Sequence, residues 1–476
     1  MTRRRAAVGT LALASLPYWL PAGVVALRMR IFTLVNGDEG VAIPGRTVGA
    51  SHFKDVYSHP AANGRSRGAA LSDLFWYWLS PAPELHQEHL EPGPRYDEVA
   101  RATRGLLARP HAAVEALAAD CTARVLDERP VTALRLVRLR NLMMPIWAEF
   151  AYELVFGERC PRRARDLIVG NANDVVTALK CTGLRHMGRR HRLTDYLVDR
   201  LEHGPEPQQP LPGGLSTRER ALYLQGTFFN TAVVQMSEAM AHLLMVLAQH
   251  REAQERAAAA PDNVRHLDRV LDETMRLYPL FGIAHRITSA DITVGERTIP
   301  RGSVLCFNYP AYHRTGYDDP DAFRPERWEG RSHRDAAFIP FGVTGNRPCP
   351  ARGIAPVAMR AATREVLRRF ALASSASHTR SIPNRGPCIL VAHAARREPR
   401  LRRRLLLAFV RIRDRWDDVW RSPVQLVLGT YMVWDARRLR LCERHFEAAD
   451  EAVRPRADRP RGRAQAGPSL RLPKEG

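Results

Sequence analysis

Lysine is almost missing from this chain: Lys54, Lys180 and Lys474 are the only three among 72 basic residues. Arginine carries nearly all of the positive charge, and the formal net charge is +22. Together with abundant alanine this is the composition of a GC-rich genome, so part of the charge reflects codon usage. A surface this basic attracts an acidic partner, an anionic membrane or nucleic acid. Helix-turn-helix signatures, zinc-ligand spacings and aromatic-basic ribonucleoprotein motifs are all lacking, so nucleic acid is not an expected partner. Paired cysteines are lacking too. The seven cysteines are odd in number, far apart and without a CxxC pair, which argues against a disulfide framework and for a reducing, cytoplasmic compartment. Long uncharged runs are scarce. The clearest near a terminus is residues 8–27, which follows Arg3-Arg4-Arg5. It is long enough to span a bilayer, but Pro17 and Pro21 interrupt it and no cleavage site follows, so a membrane-associating or docked segment is expected over residues 1–34.

What remains is enough for a large, mainly helical protein, with 45% apolar residues over 476. Helical patterns cover about 97–127, 131–157 and 163–200, before a Pro/Gly-rich break at 204–214. Ser216 to His250 is the longest apolar helix, and at ~1.5 Å per residue it crosses a whole domain. An ExxR pattern, Glu273-Thr274-Met275-Arg276, puts a carboxylate and a guanidinium on one helix face. Strand-like runs follow between Ile287 and Leu305, and then Phe323-Arg324-Pro325-Glu326-Arg327-Trp328. In residues 338–353, Gly342 and Gly345 let the backbone turn and Pro348 and Pro350 stiffen the peptide on either side of Cys349. A helical pattern begins just after, a position that favours a thiolate.

Phe341, Gly345, Arg347 and Cys349 resemble the haem-binding loop of the cytochrome P-450 superfamily, and ExxR, sheet and PERW precede it in the family's order. The resemblance, to an actinobacterial-type member, implies a mainly α fold with a small β region, with haem b held between the long central helix and the cysteine loop. It implies Cys349 as the iron ligand, and Glu273, Arg276 and Arg327 as a structural lock. Arg347, Arg286 and Arg104 are then haem-contacting arginines, with Phe341 and Gly345 shaping the loop. Phe341 stands eight residues before the cysteine where the family usually has seven, so either the loop is one residue longer or the ring packs differently. On the central helix Thr231 aligns with the family's oxygen-side threonine, which puts Asn230 where an acid usually stands. An amide orders water but cannot titrate. A second register, through Gly226, leaves Phe228 and Phe229 at that pair; the first keeps a hydroxyl towards the iron.

The implied activity is monooxygenation: O2 activated at a Cys-ligated iron to hydroxylate, epoxidise or couple an apolar organic substrate, a secondary metabolite or xenobiotic. No flavin or iron-sulfur domain is visible, so electrons are expected from a ferredoxin and ferredoxin reductase or their equivalent. A peroxide-using or isomerising haem-thiolate enzyme and a catalytically silent haem-binding scaffold are the alternatives. The resemblance places the catalytic domain at 35–395. Beyond it, from Arg396 onward, come 21 basic and 11 acidic residues. Residues 396–452 are expected to form basic helices, one near 401–411 and another near 423–448, that bind a membrane surface or a partner, or pack back on the domain. Residues 453–476 are expected to be disordered.

Overall fold

The apolar pattern over Ser216–His250 folds as one unbroken helical rod. Its start is fixed by a capping box, in which Ser216 Oγ accepts the Glu219 N–H and the Glu219 carboxylate accepts the Ser216 N–H. A computed structural model describes residues 2–36, 40–128, 130–131, 133–259, 263–382, 384–393 and 400–453. The predicted disordered tail at 453–476 therefore lies outside the described residues except for Val453.

In chain order, α1 (Thr2–Asn36), β1 (Val41–Ile43), α2 (Phe53–Ser58) and α3 (Ala70–Leu79) lead into α4 (Pro94–Leu107) and α5 (His111–Asp127). The single helix expected over 97–127 is thus two, because Pro110 lacks an N–H and disfavours helix at the residue before it. The stretch from 131 opens as β2 (Leu134–Arg138) before α6 (Leu139–Phe156), and 163–200 divides into α7 (Arg162–Leu179) and α8 (Met187–His203) around Cys181 at φ 53. The central rod comprises α9 (Thr217–Leu224), a π-helical stretch Gln225–Ala232 and α10 (Val233–Gln249). After α11 (Arg251–Ala259) and α12 (Val264–Leu277) come β3 (Ile283–Ile287), the hairpin β4 (Ile292–Val294) and β5 (Arg297–Ile299), β6 (Val304–Asn308) and α13 (Tyr309–Tyr312). The cysteine loop leads into α14 (Ala355–Arg369), β7 (Phe370–Ala373) and β8 (Pro387–Ala392), and the chain closes with α15 (Arg400–Leu439) and α16 (Leu441–Val453).

Among the described residues, three small sheets brace the helices. β6 pairs parallel with β1 and antiparallel with β3, β8 lies between β2 and β7, and β4 pairs with β5. The main core joins α4–α6 to the central rod, α12 and α14 through side chains such as Trp147, Phe229, Met240, Leu271 and Ala358. A second core under α2 and the β1-β6-β3 sheet is aromatic, with Phe53 stacked on Tyr312 at 3.9 Å between centroids.

Both termini depart from expectation. α1 runs straight through Pro17 and Pro21, lying along α15. The two expected C-terminal helices are joined into the 40-residue α15, and the break falls instead at Arg440, whose φ is 45. The extension is tied down by polar contacts. The Ser377 N–H donates to Asp414 (2.8 Å), Asn384 Nδ2 to Asp414 (2.6 Å), and Gln425 Nε2 to the Lys180 carbonyl (2.8 Å). Asp73 on α3 caps α16 from outside, accepting the N–H groups of Cys442 (2.8 Å) and Glu443 (3.3 Å). Burial raises the Asp73 carboxyl, and these two N–H groups counter it. Asp73→Ala should lower stability by about 1–2 kcal/mol in urea unfolding and make the Arg440 junction a site of tryptic cleavage in the native protein.

Candidate functional site

Glu273, on α12, has no exposed surface, and neither does Arg276 one turn later. The pair is bidentate, Nε to Oε2 at 2.9 Å and Nη2 to Oε1 at 2.8 Å. Arg327 Nε (2.9 Å) and the Arg324 N–H (3.0 Å) donate to Oε1, and Trp328 Nε1 (3.0 Å) to Oε2. Arg276 also reaches the carbonyls of His313, Pro320 and Ala322. Of the three residues grouped as a lock, Arg276 and Arg327 both meet Glu273, and Trp328 is a further partner of that carboxylate that was not anticipated.

The next clamp holds the cysteine loop. Arg286, fully buried on β3, donates from Nη1 to the carbonyls of Tyr57 (2.6 Å) and Ala62 (3.3 Å) and from Nη2 to that of Asn346 (3.1 Å). Asn346 Nδ2 turns back to the carbonyls of Tyr57, His59 and Ala62. The loop turns tightly here: Gly342 sits at φ 74, Arg347 at φ 50, and the Cys349 N–H donates to the Phe341 carbonyl at 2.9 Å.

Cys349 opens onto a cavity of about 340 Å³, the only one of the seven cysteines to do so. Its walls include Trp147, Phe150 and Phe228 as well as Phe341 and Thr231. Burial pushes the Cys349 thiol up, and the N–H groups of Ala351 and Arg352 pull against it. The protein alone therefore does not deliver the thiolate; a cation bound to the sulfur would.

Arg347 tests what could lie here. Its guanidinium faces the cavity 3.8 Å over the Tyr96 ring, yet buried Nη1 and Nη2 have no hydrogen-bond partner. Burial, and next the charge of Arg65, depress the Arg347 guanidinium below its ordinary value. Arg65 lines the same cavity with its buried Nε unpartnered. Two guanidinium groups with unmet donors, in an apolar chamber containing one thiol, fit a planar apolar cofactor with an anionic edge and a metal centre. Haem b has that shape and charge, with Cys349 as the residue to hold the iron and Arg347 and Arg65 to meet the carboxylates.

Other residues implicated by sequence fall elsewhere. Arg104 is exposed on α4, because the buried face of that helix is formed by Val99, Ala100, Thr103 and Leu106. Gly345 is exposed at the loop's outer turn, and Arg286 props the loop from behind without lining the cavity. Asn230 is buried outside the cavity wall, its Oδ1 unpartnered, whereas Thr231 is on the wall.

The residue that meets Thr231 comes from another segment. Thr231 Oγ1 donates to Glu88 Oε1 at 3.3 Å, and His89 Nε2 lies 3.5 Å from the same oxygen. Burial alone would raise the Glu88 carboxyl; the close approach of His89 and the charge of Arg65 hold it well below the usual range. His86 lines the cavity beside Glu88, and burial pushes it down to about 3, so it is neutral at pH 7. Its ring packs on Gly226 in the π stretch, where a Cβ would land within the ring. Arg65, His86 and Glu88 were missed by sequence reasoning. The dense His86-Gln87-Glu88-His89 run was a signal that could have found the last two; Arg65 sits in no motif.

Residues 185–397 match the family model described as Cytochrome P450. "Probable cytochrome P450 4d20" of Drosophila melanogaster is 26% identical over 275 residues, covering 51% of this chain and 52% of that protein. "Cyclooctat-9-en-7-ol 5-monooxygenase" of Streptomyces melanosporofaciens is 28% identical over 142 residues, covering 26% of this chain and 31% of that protein. The chain thus spans about half the length of the first curated relative and under a third of the second. Among solved structures, a six-coordinated cytochrome P450 from Thermus thermophilus superposes with a TM-score of 0.58 at 18% identity, over 71% of this chain and 91% of that one. At that identity the likeness shows the fold. Within the site, Gly226→Ala should cost about 1–3 kcal/mol of stability by overpacking, and His86→Ala in the same chain should return most of it, as read by urea unfolding of both single variants and the double.

Proposed function

Because the chain belongs to the cytochrome P450 superfamily, we propose that it is a haem-thiolate monooxygenase acting on an apolar organic substrate. The observation that supports this most directly is Cys349 on the cavity wall together with the unmet donors of Arg347. Haem b bound there supplies O2 activation at a thiolate-ligated iron, inserting oxygen by hydroxylation or epoxidation or leading to oxidative coupling.

The chain's own residues do the rest. Cys349 gives up its proton and holds the metal; Arg347 and Arg65 meet the carboxylates; Glu273, Arg276 and Arg327 keep the polypeptide around the loop in place. Trp147, Phe150, Leu154, Phe228 and Met236 exclude water and favour an apolar substrate. Thr231 presents its hydroxyl to the cavity, oriented by Glu88. We assign to Glu88, backed by His89, the anionic role that the Asn230 amide cannot fill: its carboxylate accepts from Thr231 Oγ1 and fixes that hydroxyl at the cavity wall. Electrons come from a separate ferredoxin and its reductase or an equivalent pair, for which the net charge of +22 and the exposed Arg352 beside the loop provide attraction. The working compartment is the reducing cytoplasm.

A second reading draws on the same carboxylate. A carboxylate at the cavity wall, with no acid on the central rod beside Thr231, also suits a peroxide-driven enzyme that needs no electron donor. Turnover in hydrogen peroxide without reductase, equal to that with the full electron chain, would establish it and remove the ferredoxin.

The reduced, carbon monoxide-treated holoprotein should show the absorption band of thiolate-ligated haem, and Cys349→Ala should abolish it; an unchanged spectrum in that variant would end the haem-thiolate reading. Glu88→Gln should lower product formed per electron consumed by roughly tenfold or more, with matching release of peroxide, while Asn230→Ala leaves the yield nearly unchanged.

A further inference from the structure

α15 has two apolar faces, and the domain covers only one. On the covered side Val410, Met432 and Ala436 are buried with Asp414 and Asp435. On the other, Leu405, Phe409, Ile412, Trp416 and Trp420 are 43–76% exposed. Their spacing of four, three, four and four keeps them on one helix face at about 100° per residue. Val427, Tyr431 and Trp434 continue the same stripe towards the helix end and are also exposed.

α1 lies beside this stripe. Arg415 Nη1 donates to Tyr18 Oη at 3.2 Å, and the Arg28 side chain sits against Gly429, so the two helices run parallel. Over residues 11–27, the uncharged stretch of α1, Val24 is the only buried side chain. Leu11, Tyr18 and Trp19 extend the exposed apolar surface.

We propose that the outward face of α15, with α1 alongside, lies flat on an anionic phospholipid surface, and that α1 does not cross it. Charge chooses the occupant. α15 contains ten arginines and four aspartates, and Arg403, Arg404, Arg411, Arg413 and Arg415 are exposed around the stripe. A second copy would bring the same positive charge to the contact, whereas an anionic headgroup layer complements it. Tryptophan and tyrosine along an apolar stripe, edged with arginine, is the composition of a helix in the plane of a bilayer interface.

The geometry also decides between lying and crossing. α15 cannot enter hydrocarbon along its length, because Asp414, Asp417, Asp418 and the arginines around them are too costly to desolvate. It is bonded to the domain through Asp414, Gln425 and, across the Arg440 junction, α16. A helix packed along it is therefore held parallel to the same surface.

The inference is independent of the haem chemistry and is tested on the full-length holoprotein by flotation with vesicles. Binding is expected to vesicles containing phosphatidylserine and not to phosphatidylcholine alone, weakening as salt is raised. Replacing Phe409, Trp416 and Trp420 together by Gln should weaken it about tenfold or more with the haem spectrum unchanged. Brominated lipids should quench tryptophan fluorescence of the unaltered protein most strongly when the bromine is shallow, a readout that needs no variant. Alkaline carbonate should release the protein. Retention after carbonate, with deep-bromine quenching, would show α1 crossing and overturn the proposal. So would self-association through the stripe without vesicle binding, or equal binding by the triple variant.

Discussion

One carboxylate, Glu273, has no contact with water, and four neighbours meet it: Arg276, Arg327, Trp328 and the Arg324 N–H. A charge in such a place is tolerated only when fully hydrogen-bonded, since removing a partner leaves it uncompensated. The partners come from α12 and from the PERW turn, and Arg276 continues to carbonyls at 313, 320 and 322. The satisfaction of a single anion thus sets the path of roughly fifty residues leading to the cysteine loop. Tyr317, over which Arg276, Arg327 and Arg331 all stack, adds a cation-π layer to the same junction.

The arginine-rich composition acquires structural meaning here. Arg276 and Arg286 are fully buried and use their donors on backbone carbonyls of irregular segments that lack sheet or helix partners. A planar guanidinium presents five donors in a fixed fork, which suits it to tying together separate stretches of loop. Arg347 is the exception: it is half-buried, with both Nη atoms enclosed and unmet, and that contrast with Arg286, sixty-one residues earlier, separates a binding group from a structural one.

Much of this was legible in sequence where the pattern is local. ExxR, PERW and the cysteine loop each lie on a short stretch, and the capping box at Ser216 marks the start of the central rod. Long-range placement was less legible. Arg104 and Asn230 occupy the right spacing on the right helices, but which face a residue takes depends on helix rotation. In the π stretch an inserted residue shifts that rotation by about 100°. Arg65 reaches the cavity because Gly64 pairs backbone to backbone with Ile287, over two hundred residues away. Glu88 supplies a carboxylate to Thr231 from a segment with no regular periodicity. Pro17 and Pro21 suggested a broken helix because the flank supplied by α15 could not be seen from the first forty residues.

The cap that Asp73 places on α16 bears on how the chain comes to be folded. Arg67 pairs with Asp450 and Trp76 packs against Phe446, so the segment that includes α3 makes contacts across a sequence separation of more than 360 residues. Such contacts carry the largest loop-closure cost and form late. During synthesis Trp76 lacks its α16 partners until residue 446 has left the ribosome. The segment from Arg65 to Glu91, which includes Arg65, His86, Gln87 and Glu88 on the cavity wall, is therefore among the last parts of the molecule to settle, and a cofactor binding before then would meet a chamber with one wall still open.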